Sequence, residues 1–273
     1  MLYICGTPIG NLEDITVRQL KTLKEVDLIA AEDTRHTVKL LNYFDIKTPL
    51  TSYHEHNKKK KDDKIIKMLK EGKNIALVTD AGMPGISDPG EDIIRLCIEN
   101  NIKITTIPGP TALISGLIMS GLDTSRFIFE GFLPQSGKEQ KKVLQQLEEE
   151  ERTTIFYESP HRLTKTLEIF KSLLGENRKI AVAREITKFY EEILYFQLGT
   201  AVEYFENNPA KGEIVLIIEG KEPSVAKKWE NFSIEEHVEY YVDEGHSKKD
   251  AIKLVAKDRL VAKSQIYDII MKK

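Results

Sequence analysis

The chain has 273 residues, 41% hydrophobic and 30% charged, with a formal net charge of −3. That length serves two ordinary domains, or one domain with an appendage, and buries a substantial core. No run of ~18 apolar residues occurs, which excludes a membrane-spanning helix, and the near-balanced charge gives no hint of nucleic acid, so charge must be read locally.

Taken in chain order, Leu2 to Cys5 is a short apolar run stopped by Gly6 and predicts a buried strand. The opening Met1-Leu2-Tyr3-Ile4-Cys5-Gly6 has neither the basic region nor the long apolar stretch of a signal peptide, so no leader is expected. Val17, Leu20, Leu23 and Val26 have helical spacing; Leu28 to Ala31 is a second strand. Ile65, Met68 and Leu69 mark a helix closed by Gly72, followed by a strand from Ile75 to Thr79. Glu91 to Asn100 reads as helix and Ile102 to Ile107 as strand, ending in Pro108-Gly109-Pro110. Strands alternating with helices predict a parallel sheet with right-handed crossovers over residues 1–118. A second unit, 119–222, offers strands at Phe127 to Phe129, Thr153 to Tyr157, Ile180 to Ala183, Ile193 to Leu198 and Ile214 to Ile218. Helices are expected from Lys138 and from His161, but none between the third and fourth strands, so this sheet should be mixed. Residues 223–273 read as a small helical appendage. Ser233-Ile234-Glu235-Glu236 is a capping-box pattern, Ser247 is a further start signal, and Ser264 is a candidate cap for a third helix. Residues 246–273 carry eight Lys or Arg against three Asp, a net of +5. Cys5 and Cys97 lie in apolar segments and read as reduced core residues of a cytoplasmic protein.

Ligands in an open parallel sheet bind beyond the carboxyl ends of its strands. Three segments fall at such ends. Gly6-Thr7-Pro8-Ile9-Gly10-Asn11 lacks both the dinucleotide spacing and the Gly-Lys-Ser/Thr of a phosphate loop. The 80–90 segment, Asp80-Ala81-Gly82-Met83-Pro84-Gly85-Ile86-Ser87-Asp88-Pro89-Gly90, is stiffened by proline and opened by glycine, which suits a ligand held through backbone groups. Pro108-Gly109-Pro110-Thr111-Ala112 turns into a helix whose first amides can donate to a carboxylate. Each also reads as a plain connector. Glu32-Asp33-Thr34-Arg35-His36-Thr37 and Tyr53-His54-Glu55-His56-Asn57 gather acids, a guanidinium and imidazoles, or are exposed loops. A His-x-His pair with no further partner is weak evidence for a metal, and no metal is expected.

Together these segments, with Phe156-Tyr157-Glu158-Ser159-Pro160-His161-Arg162 and Lys211-Gly212-Glu213, resemble the ribosomal RNA small subunit methyltransferase I family of the tetrapyrrole-methylase superfamily. The likeness runs in order along about residues 1–220. It implies two α/β domains with the S-adenosylmethionine cleft between them, and a homodimer. It also implies 2′-O-methylation of a cytidine, number 1402 in customary numbering, in 16S rRNA of the small ribosomal subunit. The chain has Gly82-Met83-Pro84 where porphyrin-type relatives usually have Gly-Asp-Pro, a departure that points away from a porphyrinoid substrate. By similarity, Pro8, Gly82, Pro84, Gly85, Ile86, Ser87, Thr111, Ala112, Tyr157 and Glu213 are expected to bind the donor. Asp33 and His54 are the expected bases, and Arg35 is the expected phosphate fork. Lys58-Lys59-Lys60-Lys61, Lys138, Lys141, Lys142 and the basic tail are the expected RNA contacts. A porphyrinoid methyltransferase and a non-catalytic RNA-binding assembly factor are the alternatives.

Overall fold

The computed structural model describes residues 1–54, 58–88, 90–222, 229 and 232–271. Met1–Gly220 forms one compact unit and Lys221–Lys273 another.

The first sheet comprises β1 (Leu2–Cys5), β2 (Leu28–Ala31), β3 (Leu50–Ser52), β4 (Ile75–Val78) and β5 (Ile104–Ile107), ordered β3-β2-β4-β1-β5 and parallel throughout. Parallel strands covered on both faces read as continuous apolar runs, and all four residues of β4 are buried. Their side chains alternate between two cores. Ala76 and Val78 join Leu23, Ile29 and Leu41 on one face, while Ile75 and Leu77 join Ile65, Leu69 and Ile93 on the other. The covering helices are α1 (Val17–Glu25), α2 (Thr34–Tyr43), α3 (Lys58–Lys70) and α4 (Gly90–Glu99). Thr16 starts α1 by accepting from Gln19 N–H at 3.1 Å, filling one orphan donor of its first turn.

α5 (Ala112–Met119) leaves β5 and packs on the second sheet. A Cβ added to Gly116 would lie 3.3 Å from Val215 Cγ1, so glycine sets this close approach. That sheet, β6-β7-β10-β8-β9, is mixed as expected. β6 (Phe127–Phe132) runs parallel to β7 (Thr153–Glu158), whereas β8 (Lys179–Arg184), β9 (Glu192–Gln197) and β10 (Ile214–Ile218) join by antiparallel pairings. One face buries Phe156, Val182 and Leu216 beneath α7 (Leu163–Leu174) and α8 (Leu198–Asn207), with the Phe156 and Phe170 rings 5.2 Å apart. The other face, with Ile155, Ala181, Val215 and Ile217, takes Leu117 of α5 and Ile9 from the loop after β1. α6 (Gly137–Glu149) carries Lys138, Lys141 and Lys142, all exposed.

The Lys221–Lys273 unit holds α9 (Ile234–Asp243), α10 (Lys248–Asp258) and α11 (Lys263–Met271) around Val238, Ala251, Ile252, Val255 and Ile266. The capping box forms as read: Ser233 accepts from Glu236 N–H, and the Glu236 carboxylate accepts from Ser233 N–H. Ser247 caps α10. Ser264 does not cap α11; the helix already begins at Lys263, which leaves Ser264 inside its first turn.

Candidate active site

The carboxyl ends of β1, β4 and β5 carry three loops that lock onto one another. Thr7 and Gly82 exchange backbone hydrogen bonds of 2.8 and 3.0 Å, and the Thr7 hydroxyl donates to the Thr79 carbonyl at 3.0 Å. Gly6 faces Gly109 so closely that a Cβ on Gly109 would sit 2.9 Å from the Gly6 Cα. In the 80–88 stretch Gly82 and Gly85 take positive φ of 82° and 87°, open to glycine without steric cost, and the non-glycine Ser87 is held at 64°. Residues held in such conformations cost free energy and persist where surrounding structure enforces them. Here the enforcing group is Asp88, whose carboxylate accepts from Gly85 N–H at 2.6 Å and Gly90 N–H at 3.1 Å. Burial pushes the Asp88 pKa up, while those two amides pull it down.

Sheet two brings its loops to the same place. Glu158 at the end of β7, Arg184 at the end of β8 and Ile214 at the start of β10 are register partners, so the loops beyond them leave one edge. Glu158 is buried and accepts from Ser159 N–H at 2.7 Å and the Thr166 hydroxyl at 2.6 Å, which fixes the entry to α7. Lys188 bridges Glu185 and Glu213 at 3.0 and 3.2 Å. A bulge in β6 between Phe129 and Gly131 lets the strand bend beside Ser87: a Cβ on Gly131 would lie 3.4 Å from Ser87 Oγ.

These loops line a cavity of ≈ 520 Å³, within the span typical of small-molecule sites. Of the expected donor-binding residues, Gly82, Ile86, Ser87, Thr111, Ala112, Tyr157 and Glu213 line it. Pro84 and Gly85 do not; they shape the loop behind its wall, and Pro84 is buried. Pro8 instead faces an adjoining hollow of ≈ 450 Å³ with His36, Lys39 and Tyr43. Glu32, Asp80, Asp88, Ile9 and Ile186 also line the main cavity, though none was singled out from sequence as a donor-binding residue. Ile9 and Ile186 are ordinary apolar residues whose place there depends on which loops meet, and sequence gives no signal for that.

Asp33, Arg35 and His54 sit together in a third hollow of ≈ 400 Å³, which shares Glu32 with the main cavity. Asp33 is the N-cap of α2, accepting from Arg35 N–H at 2.8 Å. The Arg35 guanidinium adds contacts of 3.0 and 2.6 Å, and these bonds hold the Asp33 carboxyl down to about 2. A carboxylate so stabilised is a weak proton acceptor. Asp80 differs. It lines both the main cavity and the Pro8 hollow, and burial with the nearby Glu32 charge raises its pKa. It accepts from Asp33 N–H at 3.1 Å and lies 3.5 Å from His36 Nδ1. Glu55, His56 and Asn57 lie outside the described residues, as does Pro89. Among the described residues, no three His, Cys, Asp or Glu side chains are grouped as a metal site.

The family model for Tetrapyrrole (Corrin/Porphyrin) Methylases matches residues 1–202. A ribosomal RNA small subunit methyltransferase I of Halalkalibacterium halodurans is 50% identical over 271 residues, covering 98% of this chain and 93% of its own. The protein of the same name in Thermotoga maritima is 49% identical over 221 residues, 81% of this chain but 99% of its own. A solved uroporphyrin-III C-methyltransferase of Thermus thermophilus, complexed with S-adenosylhomocysteine, shares the fold. Its TM-score is 0.56 at 13% identity, over 80% of this chain and 96% of that one. The locked loops, the cavity they enclose and these likenesses agree: the chain belongs to the tetrapyrrole methylases and, within them, to the ribosomal RNA small subunit methyltransferase I family.

Proposed function

We propose that this methyltransferase transfers the methyl group of S-adenosylmethionine to a ribose 2′-hydroxyl of small-subunit ribosomal RNA, at cytidine 1402 of 16S rRNA. The observation that carries the reading is a cavity built from strand-end loops of both sheets. Its residues suit the donor. Ile9, Met83, Ile86 and Ile186 offer apolar walls for an adenine, while Thr111 and Ala112 line the cavity at the start of α5, where the helix dipole favours a carboxylate. S-adenosylmethionine supplies an activated methyl on a positively charged sulfur, so no metal is needed.

The protein's task is alignment and proton removal. Positioning the nucleophile behind the methyl carbon supplies much of the rate, and a base adds ~10²–10⁴-fold. Asp80 takes that role ahead of Asp33, because it faces the cavity with a raised pKa. His54 in the neighbouring hollow is the second acceptor. Arg35, 86% exposed at its side chain, orients a phosphate with the donors that Asp33 does not occupy. The protein acts as a homodimer, as the family resemblance implies, and Ile118 and Tyr195, 70% and 61% exposed, are candidates for its contact surface. The ribosomal substrate makes the site of action cytoplasmic. Transfer of labelled methyl to unmodified small subunits, followed by mass mapping of the modified nucleoside, tests the reading. Label on a base, or on no RNA, rejects it.

A further inference from the structure

Between β8 and β9 the chain makes a short tip, 185–191, that ends in two of the molecule's most exposed aromatic side chains. Phe189 is 93% exposed and Tyr190 69%, their rings edge to face at 5.0 Å. Loose loops often expose a stray aromatic, but this tip is firmly built. Glu185 and Thr187 both hold positive φ, at 51° and 65°, which costs free energy for residues with a Cβ. Lys188 N–H donates to the Glu185 carbonyl at 2.9 Å, Glu191 N–H to the Lys188 carbonyl at 3.1 Å, and Thr187 N–H to the Glu191 carboxylate at 2.5 Å. The loop after β1 pins it from the other sheet: Asn11 N–H donates to Thr187 Oγ1 at 3.1 Å, and Gly10 packs against Thr187 and Lys188.

The tip also begins at the cavity wall. Ile186 lines the cavity, and Lys188 is tied to Glu213, which lines it too. Three residues of chain reach at most ~10 Å, so Phe189 stands within that distance of the wall. We propose that Phe189 and Tyr190 form a stacking platform for an unpaired nucleobase of the RNA substrate, holding the strand at the mouth of the cavity. This rests on the reading above that the substrate is ribosomal RNA. A ribose hydroxyl can enter the cavity only if its nucleotide, or a neighbour, leaves the stack, and flat aromatic faces return that lost stacking for any base. A second protein copy fits less well. A stable protein interface buries ~800 Å² on each partner, whereas this pair is flanked by Lys188, Glu191 and Glu192.

The test uses the full chain and unmodified small ribosomal subunits as probe. The Phe189→Ala/Tyr190→Ala double variant should bind subunits about 5- to 150-fold more weakly, the range for loss of one stacked base. S-adenosylmethionine affinity measured by calorimetry should stay within threefold. Stacking releases no counterions, so the salt slope of subunit binding should match wild type. Phe189→Leu/Tyr190→Leu keeps the apolar area but not the flat faces and should be as weak as the alanine variant. Tyr190→Trp should retain wild-type affinity and add indole emission that quenches on subunit binding. Subunit affinity within twofold of wild type in the alanine variant overturns the inference, as does recovery by leucine. So does a wild-type dimer, seen by light scattering, that dissociates in the alanine variant. Wild-type protein that methylates subunits alongside an unaffected alanine variant overturns this inference alone. Wild-type protein that neither binds nor methylates them overturns the functional reading as well.

Discussion

The Met1–Gly220 and Lys221–Lys273 units put their polar residues to different uses. In the first, Ser87, Glu185 and Thr187 hold positive φ in loops around the cavity, as Asp45 and Asn101 do elsewhere, and half-buried Asp88 and buried Glu158 brace the cavity loops. In the second, where Leu260 also holds positive φ, the polar devices include helix starts, a complete capping box at Ser233 and a side-chain cap at Ser247. Local strain maintained by its surroundings marks places where geometry serves chemistry. Local signals that all agree with the fold mark a module built to be stable. The Thermotoga maritima relative, matched along 99% of its own length over 221 residues, carries the same name while covering 81% of this chain. All the residues that line the cavity lie in the first unit.

The contrast breaks most sharply at the Gly6–Gly109 contact. A Cβ on Gly109 would meet backbone, Gly6 Cα and O, at 2.9 Å, and neither atom can move aside as a flexible side chain can. Gly109→Val should abolish donor binding in calorimetry, at least a hundredfold, while the Lys221–Lys273 unit keeps its own melting transition. Donor affinity within tenfold of wild type would show that the locked loops do not shape the site. Next in size is Asp80→Asn. Single-turnover methylation should fall ~10²–10⁴-fold, the worth of a general base, with donor affinity held within threefold. Asp33→Asn should cost less, since Arg35 already holds that carboxylate down to about 2 and makes it a poor acceptor. Equal losses in both variants, or a larger one at Asp33, would return the proton to Asp33.

Much of this site was readable before the fold, and the failures have physical causes. β1, β2 and β4 stand out because strands buried on both faces need unbroken apolar runs, and the loops after them because proline and glycine restrict and free the backbone. β3 escaped because it is a three-residue edge strand with two hydroxyl side chains, Thr51 and Ser52, in a half-buried position. α2 escaped because its first turn, Thr34 to Thr37, is polar; Asp33, read as chemistry, proves to be its cap. α8 escaped because Gly199 and Thr200 open it, both poor helix formers. Asp80 was visible in sequence but not distinguishable from Asp33, since which acid is tied to an arginine and which faces a cavity is a property of packing.

A chain ending at residue 220 sharpens the comparison at smaller amplitude. Donor binding should be unchanged, and single-turnover methylation of saturating subunits should stay within about threefold. The +5 charge of residues 246–273 should appear only in affinity, as a weaker subunit Kd and a shallower salt slope. A hundredfold loss of the chemical step would place part of the machinery in the second unit.

The smallest effect concerns how the second unit responds to acid. His237 is fully buried, stacked on Trp229 at 4.4 Å and near Tyr241 at 5.4 Å. Its Nδ1 accepts from Arg259 Nε at 3.2 Å, and its Nε2 lies 3.3 Å from the Asp258 carboxylate. Burial and then the Arg259 charge push its pKa down, against the smaller upward pull of Asp258. An unfolded histidine takes up its proton near pH ~6.5, while the folded one resists until the pH is lower. The unfolded state thus binds more protons as the pH falls below that value, and stability must fall with it; above it the contribution is complete. Trp229 is the chain's one tryptophan, so its emission follows this unit directly. Between pH 7.5 and 5.5, above the range where ordinary carboxylates titrate, the Trp229 melting transition should move to lower temperature. In His237→Phe that shift should shrink, since an apolar ring of similar size replaces the proton-binding group. An equal acid shift in both proteins would assign the sensitivity to other groups and leave His237 as packing alone.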